Sequence, residues 1–197
     1  MIGHVNRSRT AFTALSILSM LAVGACSGDD PEPKIADPSP TSSLPTSPST
    51  TAASSPVEPT MPPGAQGTDA AAAEAFVKFY WEMVNYAQAT GDLSGLKSLA
   101  SEACAACRAG TDYLDRVFGS DGIIEGGVAS VRVTSSGFIR DGADSDAVVV
   151  FDVRTTRQTV DYPGTRDDEV FPGGKTRLTA ILDPEPGGWL MQSWDEE

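Results

Sequence analysis

The chain has 197 residues and is acidic, with 27 Asp and Glu against 14 Lys and Arg and a formal charge of −13. Such a charge is unsuited to binding nucleic acid or an anionic lipid surface. The single histidine, His4, lies near the N-terminus, which disfavours histidine acid–base catalysis, Ser-His-Asp arrangements and most transition-metal sites. We therefore expect no metal and no cofactor.

The first residues have the pattern of an export signal. Two arginines precede an apolar run over residues 11–23, and small residues follow it. This run of 13 residues is shorter than the roughly 20 that a membrane-spanning helix needs. We therefore predict that residues 1–25 are a signal peptide that is removed.

The stretch Leu21-Ala-Val-Gly-Ala-Cys26 resembles a bacterial lipobox. The resemblance implies that Cys26 receives a diacylglycerol on its sulfur and becomes the mature N-terminus. An ordinary secretory signal with a chance cysteine remains the alternative. Because two acyl chains give lasting attachment, the lipobox implies an exported protein anchored through Cys26 to the outer face of the cell membrane.

A tether is predicted over residues 26–68. Ten of the 14 prolines of the chain lie here, together with many Ser and Thr and few large apolar side chains. Such a segment cannot bury enough apolar surface to offset the entropy of ordering it, so we predict disorder. Its proline content favours extended conformations that hold the following domain away from the membrane.

One globular domain is predicted over residues 69–197. Asp69 can cap a first helix that runs to about Thr90, with Gly91 as its C-terminal stop. A short second helix with three leucines follows, and a third helix is predicted over 102–118, capped by Ser101.

After the helices, the hydrophobic pattern changes to the alternation that is typical of strands. Four strands are predicted, over residues 127–140, 146–160, 174–183 and 188–195. Three helices followed by four antiparallel strands indicate an α+β fold, with the helices packed on one face of the sheet.

This order of elements resembles the cystatin-like α+β cone of the nuclear-transport-factor-2-like superfamily. The resemblance is carried by "FVKFYWEMVNYAQATGDLSGLKSL" and by the ending "GGWLMQSWDEE". It implies three N-terminal helices on one curved four-stranded sheet, usually with a pocket between the sheet and the long helix.

The domain also resembles an uncharacterised family of actinobacterial lipoproteins. The shared features are Asn85-Tyr86-Ala87, Gly91-Asp92 and the paired cysteines Cys104 and Cys107. The resemblance covers nearly all of residues 70–195. It implies a location in the cell envelope, but the family has no established activity.

Cys104 and Cys107 form a C-x-x-C that a redox couple, half of a metal site or a structural bridge would each use. If Cys26 is acylated, these two remain as a pair in an oxidising compartment. A zinc site needs about four ligands, and two thiols without a histidine do not supply them. A thioredoxin-like site would follow a strand, whereas this pair follows a predicted helix. We therefore predict a disulfide at the start of the third helix.

The aromatic side chains are the candidates for a ligand pocket or a partner surface. Tyr80 shares a helical stripe with Phe76 and Met83, so packing in the core is its default interpretation. Trp81 is offset from this stripe by one residue and is the stronger candidate for a pocket mouth. The candidate surface comprises Tyr80, Trp81, Asn85, Tyr86 and Trp189.

The charged side chains give a weaker signal. Five carboxylates, at Asp112, Asp115, Glu125, Asp152 and Asp161, are scattered and are most simply interpreted as solvated. Arg154 and Arg157 are unusual among so many acidic residues. We expect both arginines to pair with nearby aspartates.

We therefore expect a membrane-anchored envelope lipoprotein whose domain is a non-catalytic module for binding a small ligand or an envelope protein. The alternative is a pocket enzyme of isomerase or dehydratase type that uses Asp and Tyr without His. A redox role for the C-x-x-C is a third, weaker hypothesis. A buried carboxylate inside a closed pocket would favour the enzyme.

Overall fold

The computed structural model describes residues 55–139, 145–164 and 167–197. The helices are α1 (Ala70–Thr90), α2 (Ser94–Ser98) and α3 (Ala105–Phe118). The strands are β1 (Ile123–Gly126), β2 (Ala129–Phe138), β3 (Ala147–Thr155), β4 (Gln158–Asp161), β5 (Glu169–Phe171), β6 (Gly174–Glu185) and β7 (Gly188–Glu196). A 3-10 turn, Pro63–Ala65, precedes α1. Within the described parts of the chain, no helix is both long and apolar enough to cross a membrane.

The strands form two antiparallel sheets. The larger has the order β2-β3-β6-β7 and the smaller has the order β1-β4-β5. The predicted mixture of three helices and antiparallel strands is confirmed. Each of the four predicted strands overlaps one strand of the larger sheet. The prediction of a single four-stranded sheet is wrong, because β1 and β5 were not predicted and the predicted strand 146–160 divides between the two sheets.

Glycines surround the point where the predicted strand 146–160 divides. Gly126, the last residue of β1, and Gly127, which follows it, have φ angles of 76° and 70°, which favour glycine. Gly173 lies so close to the β3–β4 connection that a Cβ would be 2.7 Å from the carbonyl oxygen of Thr155. The close backbone approach lets the chain leave β3 and enter the smaller sheet as β4.

The first helix has the predicted bounds. The Asp69 carboxylate accepts a hydrogen bond from the Ala72 N–H at 2.8 Å, which caps the N-terminus. Gly91 ends the helix with a left-handed φ of 76°, and its N–H donates to the Ala87 carbonyl.

The third helix begins later than predicted. Ala105 is its first residue, and Cys104 rather than Ser101 is the N-cap, because the Cys104 sulfur accepts from the Cys107 N–H at 3.2 Å. The Ser101 hydroxyl instead accepts from the Ala103 N–H in the preceding turn, at 3.1 Å.

The core lies between α1 and the inner face of the larger sheet. Phe76 from α1 meets Phe151, Leu182 and Met191 from three strands of this sheet, and all four are fully buried. Burial of each such side chain contributes about 1.5–3 kcal/mol. A smaller cluster around Val117, on α3, joins that helix to the smaller sheet.

Packing begins before the predicted domain boundary at Asp69. Ala65 is fully buried in the core, and Met61 packs against it. The stretch around Pro63–Ala65 therefore lies on α1, although its proline-rich composition led to its assignment to the tether. Composition averaged over 26–68 does not reveal two apolar residues placed to meet the core.

Candidate functional site

An apolar cavity of about 320 Å³ lies beside α1 and α3, near the end of the larger sheet. This volume is at the lower end of the range for small-molecule sites. Its lining includes aromatic, aliphatic and small residues: Tyr80, Trp81, Val84, Leu96, Ala106, Gly110, Tyr113, Leu114, Ala129, Phe171 and Trp194. Gly110 and Phe171 are exposed, so the cavity opens between α3 and the end of β5.

The cavity wall carries no formal charge. Its polar groups are hydroxyls and amides, among them Thr111, Thr155 and the paired Gln88 and Gln158. The Gln158 amide donates to the Gln88 amide oxygen at 2.7 Å, which joins β4 to α1 at the cavity edge. Among the described lining residues there is no Asp, Glu, Lys, Arg or His. The site is therefore suited to uncharged apolar groups.

Trp81 lies at the centre of an aromatic cluster on this wall. Its ring centroid is 6.0 Å from that of Trp194 and 6.4 Å from those of Tyr80 and Phe151. Such tilted and edge-on contacts hold large rings in defined orientations. Helix α1 and strand β7 thus position the two indoles against each other.

The polar atoms of this cluster are buried. Burial raises the pKa of the Tyr80 hydroxyl to about 12, and the Trp194 indole that faces it offsets part of the rise. The Trp81 indole N–H is buried as well and makes no hydrogen bond within the described structure.

Three other predicted candidates lie outside the cavity lining. Asn85 hydrogen-bonds the backbone of Ala129 twice, donating to its carbonyl and accepting from its N–H, each at 2.8 Å. Tyr86 is half-buried, and Trp189 is buried against Phe138, with ring centroids 6.4 Å apart. The structure thus brings Tyr80 and Trp81 together and separates them from the other three.

The predicted disulfide between Cys104 and Cys107 is present, with a Cα–Cα distance of 5.3 Å. Cys104 is fully buried and Cys107 lines the cavity. The bridge therefore lies in the wall of the site as well as at the start of α3. The predicted lipidation residue, Cys26, lies outside the described residues.

Residues on α3 and around β5 were not predicted as part of the site. Ala106 and Gly110 are one helical turn apart, and their small size leaves the space that the cavity occupies. Phe171 and Pro172 reach the same cavity from the end of β5. The spacing of Ala106 and Gly110 could have indicated a cavity beside α3. Nothing in the sequence indicates that β5 lies next to that helix.

None of the five candidate carboxylates lines the cavity. Four of the five candidates, at Asp112, Asp115, Glu125 and Asp161, are exposed. Asp152 is buried, but it lies on the outer face of the larger sheet and pairs there with basic side chains. No group of three or more His, Cys, Asp or Glu residues that could hold a metal ion occurs in the described ranges.

The fold and the cavity define an α+β domain with a neutral, aromatic-walled cavity. The chain belongs to the family of unknown function DUF6318, whose model matches residues 45–193, about three-quarters of its length. No curated protein matches the chain.

The solved structures that are similar to this chain include the following two. The intermembrane-space region of the chloroplast protein ARC6 aligns with a TM-score of 0.50 and 14% identity, over 66% of this chain and 97% of that one. A variant of the nuclear-transport-factor-2-like protein Rd1NTF2_05 aligns with a TM-score of 0.41 and 12% identity, over 64% and 96%. At such identity, the first similarity concerns the fold alone.

Proposed function

We propose that this protein is a membrane-anchored lipoprotein of the cell envelope whose domain binds an apolar ligand without catalysing a reaction. The observation that carries the binding proposal is the cavity of about 320 Å³, walled by Tyr80, Trp81 and Trp194. An apolar ligand gains roughly 25 cal/mol for each Å² of surface that it removes from water. The ligand is either a small molecule or an apolar side chain of an envelope protein.

The alternative, a pocket enzyme, has less support. An Asp-based isomerase or dehydratase needs a carboxylate within hydrogen-bond reach of its substrate. The described lining supplies none, and Tyr80, with a pKa raised to about 12, stays protonated near neutral pH. Tyr80 can therefore donate a hydrogen bond to a ligand but does not serve as a base at that pH.

The proposed anchoring depends on the sequence around Cys26. The lipobox-like residues 21–26, the short apolar run before them and the proline-rich stretch after them all favour a lipidated, tethered protein. Membership of an actinobacterial lipoprotein family and the nuclear-transport-factor-2-like cone belong to the same proposal. The long α1 lying on an antiparallel sheet supports the cone.

The binding proposal is tested with a neutral fluorescent probe, 1-N-phenylnaphthylamine. We expect a saturable rise in probe fluorescence with the wild-type chain. Gly110→Phe should place a ring in the cavity mouth and weaken binding by about tenfold or more. Ala109→Phe is the matched control, because the neighbouring residue lies on the same helix but outside the lining.

Equal binding by wild type and Gly110→Phe would contradict the proposed site, as would the absence of saturation. If Ala109→Phe weakens binding as much as Gly110→Phe, the effect comes from the helix and not from the cavity.

Anchoring is tested by feeding cells an alkyne analogue of palmitate and isolating the protein. We expect the wild-type chain to be labelled and found with membranes, and Cys26→Ser to lose both properties. Ser27→Ala, which keeps the cysteine, should behave as wild type. Labelling that survives Cys26→Ser would refute lipidation at this residue.

A further inference from the structure

The outer face of the larger sheet carries a basic cluster, which we define as Arg132, Arg154 and Lys175. These side chains and Ser130 surround a depression of about 330 Å³ in a chain whose net formal charge is −13. The cluster lies on the face opposite the apolar core, so it is separate from the aromatic cavity.

Asp152 organises the cluster but leaves it positively charged. Its side chain is 4% exposed, and its Oδ2 atom accepts from Arg132 at 2.6 Å and from Lys175 at 3.0 Å. Its Oδ1 atom is used by Arg177, at 3.0 Å. Both oxygens are therefore occupied by other cations, and Asp152 does not pair with Arg154.

Arg154 contradicts the expectation that it pairs with a nearby aspartate. Its side chain is exposed and makes no ion pair with any carboxylate that the structure describes. In the sheet register Arg154 lies directly opposite Lys175. Because Lys175 is itself paired with Asp152, Arg154 is the member of the cluster whose charge no described carboxylate compensates, and an anion would compensate it.

We propose that this basic cluster binds a phosphate monoester. Arg132, Arg154 and Lys175 carry one positive charge each, and Asp152 cancels one of them. Arg177 shares the same carboxylate, so the surplus is at least two, which suits a phosphate monoester that carries about −1.5 to −2 at pH 7. Guanidinium groups bind phosphate oxygens in pairs and an ammonium group adds a point charge, so the mixed cluster fits this group. The Ser130 hydroxyl lies at the rim, where it donates to the Arg154 backbone carbonyl at 3.4 Å.

The phosphate can come from a soluble molecule or from a lipid headgroup, and two experiments distinguish these sources. In the first, the ¹⁵N-labelled full chain is titrated with glycerol 3-phosphate at low salt, with glycerol as the blank. We expect saturable amide shifts at Ser130, Arg154 and Lys175. In the second, co-sedimentation with phosphatidylcholine vesicles is measured with and without phosphatidic acid.

Arg154→Gln is the decisive variant, because it removes a cation that makes no ion pair in the described structure and should leave the melting temperature unchanged or higher. We expect it to weaken binding by about tenfold, with Arg154→Lys losing less. Arg157→Gln, which removes an arginine three residues after Arg154 and outside the lining of the depression, should bind as wild type. If Arg154→Gln weakens binding in the glycerol 3-phosphate titration alone, the ligand is a soluble phosphate monoester. If it weakens binding to vesicles that contain phosphatidic acid, the ligand is a lipid headgroup.

Absence of Arg154-dependent binding in both assays overturns the proposal, as does equal weakening by Arg157→Gln. Shifts confined to residues outside the depression overturn it as well. The cavity proposal is unaffected by these results, since the neutral probe and Gly110→Phe test a different face of the sheet.

Discussion

Asp152 shows how one buried carboxylate is held charged. Hydrogen bonds from Arg177 and then from Lys175, with a smaller one from Arg132, keep the pKa of this carboxyl well below its usual range. Its three cationic partners cover the carboxylate and compensate its charge, so removing them would leave that charge unpaired. Because two of its partners lie on β6 and one on β2, Asp152 joins three strands from its central position on β3.

We predict that Asp152→Asn lowers the melting temperature by several degrees at pH 7. The pKa of the Asp152 carboxyl is lower in the folded state than in the unfolded state, where it is about 3.9. The charged carboxylate therefore stabilises the folded protein above that pH, and this stabilisation is lost as the pH falls toward the folded-state pKa. The difference between wild type and variant should therefore shrink below about pH 4. Thermal unfolding from pH 2 to pH 7 measures it, with the exposed Asp161→Asn as control. A difference that does not vary with pH would contradict this explanation.

Asn85 has a structural role that its place in the sequence did not reveal. Its amide pairs with both backbone groups of Ala129, which fixes the C-terminal part of α1 to the first residue of β2. These two hydrogen bonds fix the position of the first residue of β2 relative to α1.

We predict that Asn85→Ala lowers the free energy of unfolding by about 2 kcal/mol, since two partly buried hydrogen bonds are lost. Asn85→Asp keeps the acceptor for the Ala129 N–H and should lose less. Urea unfolding measures both variants. A loss below about 0.5 kcal/mol in Asn85→Ala would show that these bonds contribute little.

Helix α3 combines a constrained start with a small-residue face. The Cys104–Cys107 disulfide spans its first turn, and Ala106 and Gly110 leave space for the cavity in the next. The element thereby has two roles, as part of the packed domain and as one wall of the site.

We predict that replacing both Cys104 and Cys107 by serine lowers the free energy of unfolding by about 2 kcal/mol, because a loop of four residues restricts the unfolded chain only slightly. Serine is itself a good N-cap, so the start of α3 should be retained. Urea unfolding and circular dichroism measure the outcome, with reduced wild type as the comparison. Loss of the folded state would show that the bridge is essential.

At the scale of the whole molecule, the two faces of the larger sheet differ in chemistry. The inner face contributes Phe151 and Leu182 to the core, and the outer face carries Asp152 with its cations. This separation follows from the alternation of side chains along each strand. The proposed apolar site and the proposed phosphate site are therefore built from different side chains.

We predict that an apolar ligand stabilises the whole domain through binding to the folded state. At a ligand concentration 100 times Kd, the stabilisation is about 2.7 kcal/mol, which corresponds to roughly 5–10 °C in melting temperature. Thermal unfolding with 1-N-phenylnaphthylamine should show this rise for wild type and not for Gly110→Phe. An equal rise in both would place the bound probe elsewhere.

Much of the fold was predictable because its signals are local. The Asp69 cap and the Gly91 stop define α1, and alternating residues define the four strands of the larger sheet. Strand β1 was missed because it is short, and β4 was merged with β3 because the residues between them are themselves strand-like. For the site, the pattern identified Tyr80 and Trp81 but grouped them with Asn85, whose partner lies 44 residues away in sequence.

The sequence by itself determined the caps of α1, the class of fold and the pairing of Cys104 with Cys107, since each depends on neighbours within a few residues. Only the tertiary structure decided that Trp81 meets Trp194 in a cavity wall and that Arg154 faces Lys175 with no carboxylate partner among the described residues. These arrangements depend on strand register and on the division into two sheets. Both depend on contacts between segments that are distant in the chain, and the alternation within one strand does not specify which segments pair.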